Sequence, residues 1–189
     1  MITMTHLWKM VKESLASEIL SISGGTLAGL GLAKITGILE AFPGMIIMVP
    51  AFMGLRGNIL GALSARLGTA LHTGLIDPKE LFGQETVTNL VASLFLSVFV
   101  NSLIGFLSYI FCFALGIQAV LWKLVVLGAL SGALASVLVS PLTIILAIIV
   151  FRRGIDPDNV MGPIVTSLGD VTALICLSLV AMLILWIGG

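Results

Sequence analysis

Charge is scarce in this chain: 10% of its 189 residues are Asp, Glu, Lys or Arg, against roughly a quarter in a soluble domain. With 59% apolar residues and a mean hydropathy of +1.21, a water-soluble fold is excluded and a membrane protein is expected throughout. Nine basic residues balance nine acidic ones, so net charge offers nothing to nucleic acid. Cysteine is nearly absent. Cys112 and Cys176 both lie in apolar runs, read as small buried hydrophobes, and give no disulfide framework. Together with His72 they fall in different apolar runs, so a thiolate or imidazole cluster suited to Zn²⁺ or Cu⁺ is missing. No short apolar run followed by a small-residue cleavage site opens the sequence, so no secretory leader is expected.

What the chain has is length of apolar run. Five spans fit, near 19–39, 45–71, 87–115, 119–150 and 159–187, each at or above the roughly 20 residues a bilayer crossing needs. Ahead of them, Leu7, Trp8, Val11 and Leu15 recur at helical spacing, with Lys9, Lys12 and Glu13 mostly off that face. This predicts a short amphipathic helix lying at the interface, anchored by Trp8, Lys9 and Lys12. The expected division is an amphipathic segment, 1–18, and a five-helix transmembrane domain, 19–189. The fold class is all-α integral membrane, and the lipid bilayer is the first partner. A cytoplasmic N-terminus puts Lys9, Lys12, Lys79, Arg152 and Arg153 inside, with Arg66 near that side, and leaves Lys34 and Lys123 outside. The positive-inside rule therefore places the N-terminus in the cytoplasm and the C-terminus outside, across the cell membrane.

Two similar turns follow the second and fourth spans, Gly74-Leu-Ile-Asp77-Pro78 and Gly154-Ile-Asp156-Pro157. Gly ends a helix, and Asp followed by Pro suits the Ncap and N1 positions of the next. Asp77, Glu80, Glu85, Asp156 and Asp158 gather on this inner side. Two readings stand: solvated caps, or an inner mouth where Asp156, Asp158 and Asp77 sense the ion.

Polar residues inside the spans are patterned. Gly57, Gly61 and Ala65 form a small-residue ridge, which serves either close helix packing or a narrow pore wall. Beside it run Asn58, Gly61, Ala65, Thr69 and His72, the last read as interfacial. Asn89, Ser93, Ser97 and Asn101 on the third span, and Ser136, Ser140 and Thr143 on the fourth, read as hydrogen-bonding glue.

Asp170 is the most informative residue. It lies alone inside an apolar stretch, where an ionised carboxylate costs several kcal/mol unless it faces a water-filled path or a partner. Pro163, Thr166, Ser167 and Asp170 stand at i, i+3, i+4 and i+7, so a helix carries them within one sector. A polar stripe with one carboxylate is what a cation path needs. Catalysis is not expected, because an intramembrane aspartyl protease needs a second membrane carboxyl to share acid and base roles.

Val49-Pro-Ala-Phe-Met-Gly-Leu-Arg-Gly-Asn58, with Ser64-Ala-Arg66-Leu-Gly-Thr-Ala, resembles the eukaryotic solute-carrier magnesium transporters related to bacterial MgtE. So does Asp156-Pro-Asp158-Asn159 running into Pro163-Ile-Val-Thr-Ser-Leu-Gly-Asp170. The resemblance covers essentially the whole chain and implies one MgtE-type membrane unit. It further implies a homodimer whose second and fifth helices line the pore and whose Asp170 holds hydrated Mg²⁺ as the transported ion. Gly57 and Asn58 match the second-helix motif, and Thr166 and Ser167 would join them around the ion. No cofactor is implied, and no cytoplasmic regulatory domain, CBS pair included, is expected ahead of residue 19. Arg56 stands where the bacterial motif has a small residue; the eukaryotic relatives resemble this chain in placing a cation there.

Mg²⁺ dehydrates reluctantly and keeps several waters, so few protein oxygens suffice to hold it. A passive channel, a uniporter and a Na⁺- or H⁺-coupled exchanger would all use this stripe, for Mg²⁺ or for Mn²⁺, Co²⁺ or Ca²⁺. Two alternatives remain open on the residues. Arg56 and Asp170 both fall near mid-depth of their spans, where an ion pair would make Asp170 architectural. With such a pair the chain would be an accessory membrane subunit without transport of its own. On the transport reading Arg56 is expected to point into the packing between helices, since a cation on the path would repel the cargo.

Overall fold

Between Met4 and Ser23 the chain has neither Gly nor Pro, and nothing interrupts helix propagation there. The computed structural model describes residues 4–80 and 82–188, and it draws α1 as one helix, Met4–Lys34. The described part of the amphipathic segment expected at 1–18 forms the first turns of α1. Trp8 is exposed, while the anchoring role given to Lys9 falls on a side chain outside the described residues. A short α2, Thr36–Ala41, leads through Phe42 and Pro43 to Gly44, whose φ of 88° caps α3 at Met45–His72. The rest is α4, Gln84–Ala114, α5, Leu121–Arg152, and α6, Pro157–Gly188. Among the described residues there is no strand, and five helices (α1, α3, α4, α5 and α6) are long and apolar enough to cross a membrane.

The turns after α3 and α5 differ. Both Gly74 and Gly154 take positive φ, 74° and 71°, and each ends a helix. Asp156 then caps α6, its Oδ1 accepting the Asp158 N–H at 3.1 Å with Pro157 as first helical residue. Asp77 accepts the Lys79 N–H at 2.8 Å, but no helix follows it. Gly83 interrupts the run six residues on, and α4 starts only there, with Gly83 as its N-cap. The expected repeat of the cap is thus half present.

α4 and α5 form the tightest pair. A Cβ at Gly105 would collide with Leu124 O, and one at Gly128 with Asn101 O, so the two backbones touch where side chains are absent. Close packing was expected of Gly57, Gly61 and Ala65. Only Gly57 meets a neighbour: nothing lies within 4 Å of a Cβ at Gly61, and Ala65 is exposed. Ser97 Oγ bonds Gly132 O across the α4–α5 seam at 2.8 Å, as the glue reading expected. Asn101 and Thr143 instead bond back to their own helices, and Ser136 bonds Ser140 one turn on.

Two apolar clusters fill the interior. One gathers Met45, Met48, Phe52, Leu124 and Leu177; the other gathers Leu60, Leu63, Leu67, Ile144, Met161 and Val165. Between Phe52 and Leu60 on α3 lies Arg56, level with a buried polar layer of Ser97, Asn101 and Ser131. α1 adds little to this core: Ser17 and Ala28 are its buried side chains among the described residues, and Ala28 joins the first cluster.

Backbone contact at the α4–α5 seam leaves no room for a branched side chain. Gly128→Val should lower stability in detergent by about 3 kcal/mol or more, beyond ordinary overpacking. Gly25→Val, where a Cβ meets nothing within 4 Å, should leave the melting temperature unchanged. Thermal unfolding followed by circular dichroism reads both.

Candidate pore-lining site

α3 and α6 run antiparallel in close register, set by glycines and one threonine. A Cβ at Gly57 would lie 3.3 Å from both Oγ1 and Cγ2 of Thr166, and one at Gly169 would lie 2.9 Å from Arg56 Cγ and Leu60 Cδ1. Toward the C-terminal end of α3, a Cβ at Gly68 would lie 2.5 Å from Asp158 Oδ1. The structure thus brings Gly57 to Thr166, and sets Asp170 directly after the glycine that packs on α3.

The open side of this helix pair is unusual for a surface in lipid. On α3 it carries Gly54, Asn58, Ala62, Ala65, Thr69 and His72, all exposed. From Ile47 to His72 no large apolar side chain of α3 is exposed, whereas α1 and α4 expose many, Phe95 and Phe99 among them. On α6, Pro163, Thr166 and Asp170 are half-buried. Thr166 Oγ1 donates to Gly162 O at 2.9 Å, which leaves its lone pairs free. Asp170 has no hydrogen-bond or ion-pair partner among the described residues, and its carboxylate remains partly exposed.

Ser167 stands apart. Although it shares a sector with Thr166 in sequence, it is 8% exposed and packs on α1, where a Cβ at Gly24 would overlap its Oγ. It lines an apolar groove of about 520 Å³ with Leu20, Leu27, Leu146 and Thr172. One residue along a helix is a rotation of about 100°, enough to turn it from α3 to α1.

Arg56 points into the packing, as the transport reading expected. It is fully buried, and its Nη2 donates to Ser97 Oγ at 3.0 Å and to Gly132 O at 3.1 Å. Its guanidinium carbon lies 5.6 Å from the Phe52 ring centroid. Nε and Nη1 have no hydrogen-bond partner among the described residues. The Arg56–Asp170 ion pair considered from sequence is not formed, because the arginine leaves α3 on the side of α4 and α5.

The carboxylates expected at an inner mouth divide into two groups. His72, Asp156 and Asp158 bring one ligand atom each to within 4.8 Å of one another, with His72 Nε2 at 3.4 Å from Asp156 Oδ1. Phe151 holds the imidazole edge-on at a centroid distance of 5.3 Å. Asp77 is not in this group; with Glu80 and Glu85 it lines a separate hollow of about 260 Å³ in the 73–83 loop. His72, read from sequence as interfacial, is exposed and is the last residue of α3. It ends the same helical stripe as Asn58 and Thr69.

Five membrane-length helices, with a lone carboxylate beside a face of small and polar residues, define a multi-pass membrane protein. Comparison with known proteins gives the family. A model of the MgtE divalent cation transporters matches residues 49–180. Solute carrier family 41 member 3 of Rattus norvegicus is 30% identical over 144 residues, covering 72% of this chain and 30% of the relative. Solute carrier family 41 member 2 is 32% identical over 142 residues in Xenopus laevis and 31% in Homo sapiens, covering 71% of this chain and 24% of each relative. The chain therefore belongs to the MgtE family of divalent cation transporters, and it spans less than a third of the length of these curated relatives.

Proposed function

We propose that this chain carries a divalent cation, Mg²⁺ first among them, across the cell membrane. The polar face of α3 and α6 lines the path, and two copies of the chain enclose it. The observation that carries this reading is the unpartnered, partly exposed Asp170 on a membrane face without large apolar side chains. A carboxylate in that setting attracts a cation strongly. Mg²⁺ retains most of its waters, so Asp170 from each copy, the Asn58 amide, the Thr166 hydroxyl and the backbone at Gly57 suffice to hold it through hydrogen bonds. Family membership supports divalent cation transport in general, and the magnesium motif resemblance supports Mg²⁺. Five crossings separate the two termini, and the positive-inside rule supports a cytoplasmic N-terminus and an outer C-terminus, with Lys12, Lys79, Arg152 and Arg153 on the inner side.

Mg²⁺ flux into liposomes containing only this protein, with and without Na⁺ and pH gradients, tests the activity and its energetics. Asp170→Asn keeps side-chain volume and removes the charge. Flux should fall about 100-fold or more while the protein folds and assembles as before, a loss of the size seen when a key electrostatic group is removed. Undiminished flux in Asp170→Asn and Asp170→Ala contradicts the reading.

A two-fold axis beside the exposed face would bring both copies of Asp170 together and cover the small residues that lipid solvates poorly. A cysteine at position 166 or 170 should then crosslink between subunits with a short spacer. A conducting monomer, shown by single-molecule photobleaching in liposomes, excludes the homodimer.

The His72, Asp156 and Asp158 triad ties the inner end of α3 to the start of α6. A divalent ion bridging it would hold the two helices together at the mouth and close the path when internal Mg²⁺ is high. Asp156→Asn with Asp158→Asn should weaken inhibition of flux by internal Mg²⁺ and leave ion selectivity unchanged. His72→Ala should act more strongly on inhibition by Ni²⁺, to which imidazole is suited, than on inhibition by Mg²⁺. Unaltered inhibition in these variants leaves the two aspartates as helix caps.

A further inference from the structure

Arg56 is a full charge, wholly buried in a membrane span, with only neutral acceptors: Ser97 Oγ, Gly132 O and the face of Phe52. Two of its nitrogens have no partner, and no carboxylate pairs with it among the described residues. A guanidinium in this position is expensive and tends to persist where its charge does something. Within α3 to α6, Asp170 is the one acidic residue that lies more than a turn from a helix end. The arginine stem packs on the backbone of Gly169, the residue before it. The membrane interior thus holds two opposite charges on adjoining helices, one behind the α3 wall and one at its front, and they do not touch.

We propose that Arg56 is an affinity-setting residue: its fixed positive charge behind the path weakens the hold of Asp170 on the transported ion, so that the ion leaves as readily as it enters. The inference rests on Asp170 holding that ion. Coulomb interaction reaches across a low-dielectric wall, and a divalent ion feels it twofold. Two carboxylates facing one axis would otherwise trap a divalent ion, and conduction requires binding weak enough to release. Arg56 does this without obstructing the path, since its guanidinium lies among α3, α4 and α5.

The test is the concentration dependence of Mg²⁺ flux in protein-only liposomes. Arg56→Gln should lower the half-saturating Mg²⁺ concentration about tenfold and reduce the maximal rate. Arg56→Lys, which keeps the charge and alters the hydrogen bonds, should stay close to wild type. Ser97→Asp places a carboxylate beside Nη2 and neutralises the arginine without removing it. It should shift half-saturation in the same direction, and it decides the matter if Arg56→Gln does not fold. Wild-type half-saturation in Arg56→Gln or in Ser97→Asp overturns the proposal. So does Arg56→Lys behaving like Arg56→Gln, which assigns Arg56 to hydrogen bonding alone. Failure of the underlying pore reading shows separately, as wild-type flux in Asp170→Asn.

Discussion

The approach of α3 to α6 organises everything of functional interest in this MgtE-family chain. It depends on Gly57, Gly68 and Gly169, each occupied on its open side by a residue of the other helix. A side chain at any of them would push the helices apart and shift the register that sets Thr166 against Gly57 and Asp158 against Gly68. Because the helices are antiparallel, one register fixes two distant places together. It sets Asp170 beside the α3 contact of Gly169 and brings His72 to Asp156 and Asp158 at the loop end. Helix association in lipid gains little from apolar burial, so backbone proximity of this kind carries much of the packing.

The other helices support that pair unequally. α4 and α5 form a seam closed on Gly105, Gly128 and Gly132, and this hairpin backs α3 with the buried polar layer in which Arg56 ends. Arg66, one helical stretch further, bonds Asn89 Oδ1 at 2.8 Å and Ser93 Oγ at 3.3 Å, so the polar positions of α4 serve two arginines of α3. α1 lies against α6 alone for most of its length and exposes most of its apolar side chains. That exposure suits contact with lipid, whereas the bare face of α3 does not.

Charge placement follows from which side of a helix each residue leaves. Arg56 and Gly57 are neighbours in sequence, yet one is enclosed among α4 and α5 and the other meets Thr166 on α6. Thr166 and Ser167 part in the same way, toward α3 and toward α1. A stripe drawn by helical spacing marks a sector of roughly a third of the circumference, and that is too coarse to assign each member to one neighbour.

Much was legible in the residues alone. Apolar run length fixed five crossings, and the rarity of membrane carboxylates singled out Asp170, because span length and the cost of a buried charge are local properties. The Gly154–Pro157 turn was readable for the same reason: positive φ and an Asx cap depend on adjacent residues. What tertiary structure alone decided were the facts about partners. These include the turn of Ser167 toward α1 and the approach of His72 to Asp156 and Asp158. Above all they include the separation of Arg56 from Asp170. Depth along a helix is a matter of counting residues, but which neighbour a side chain meets depends on how helices distant in sequence pack around it.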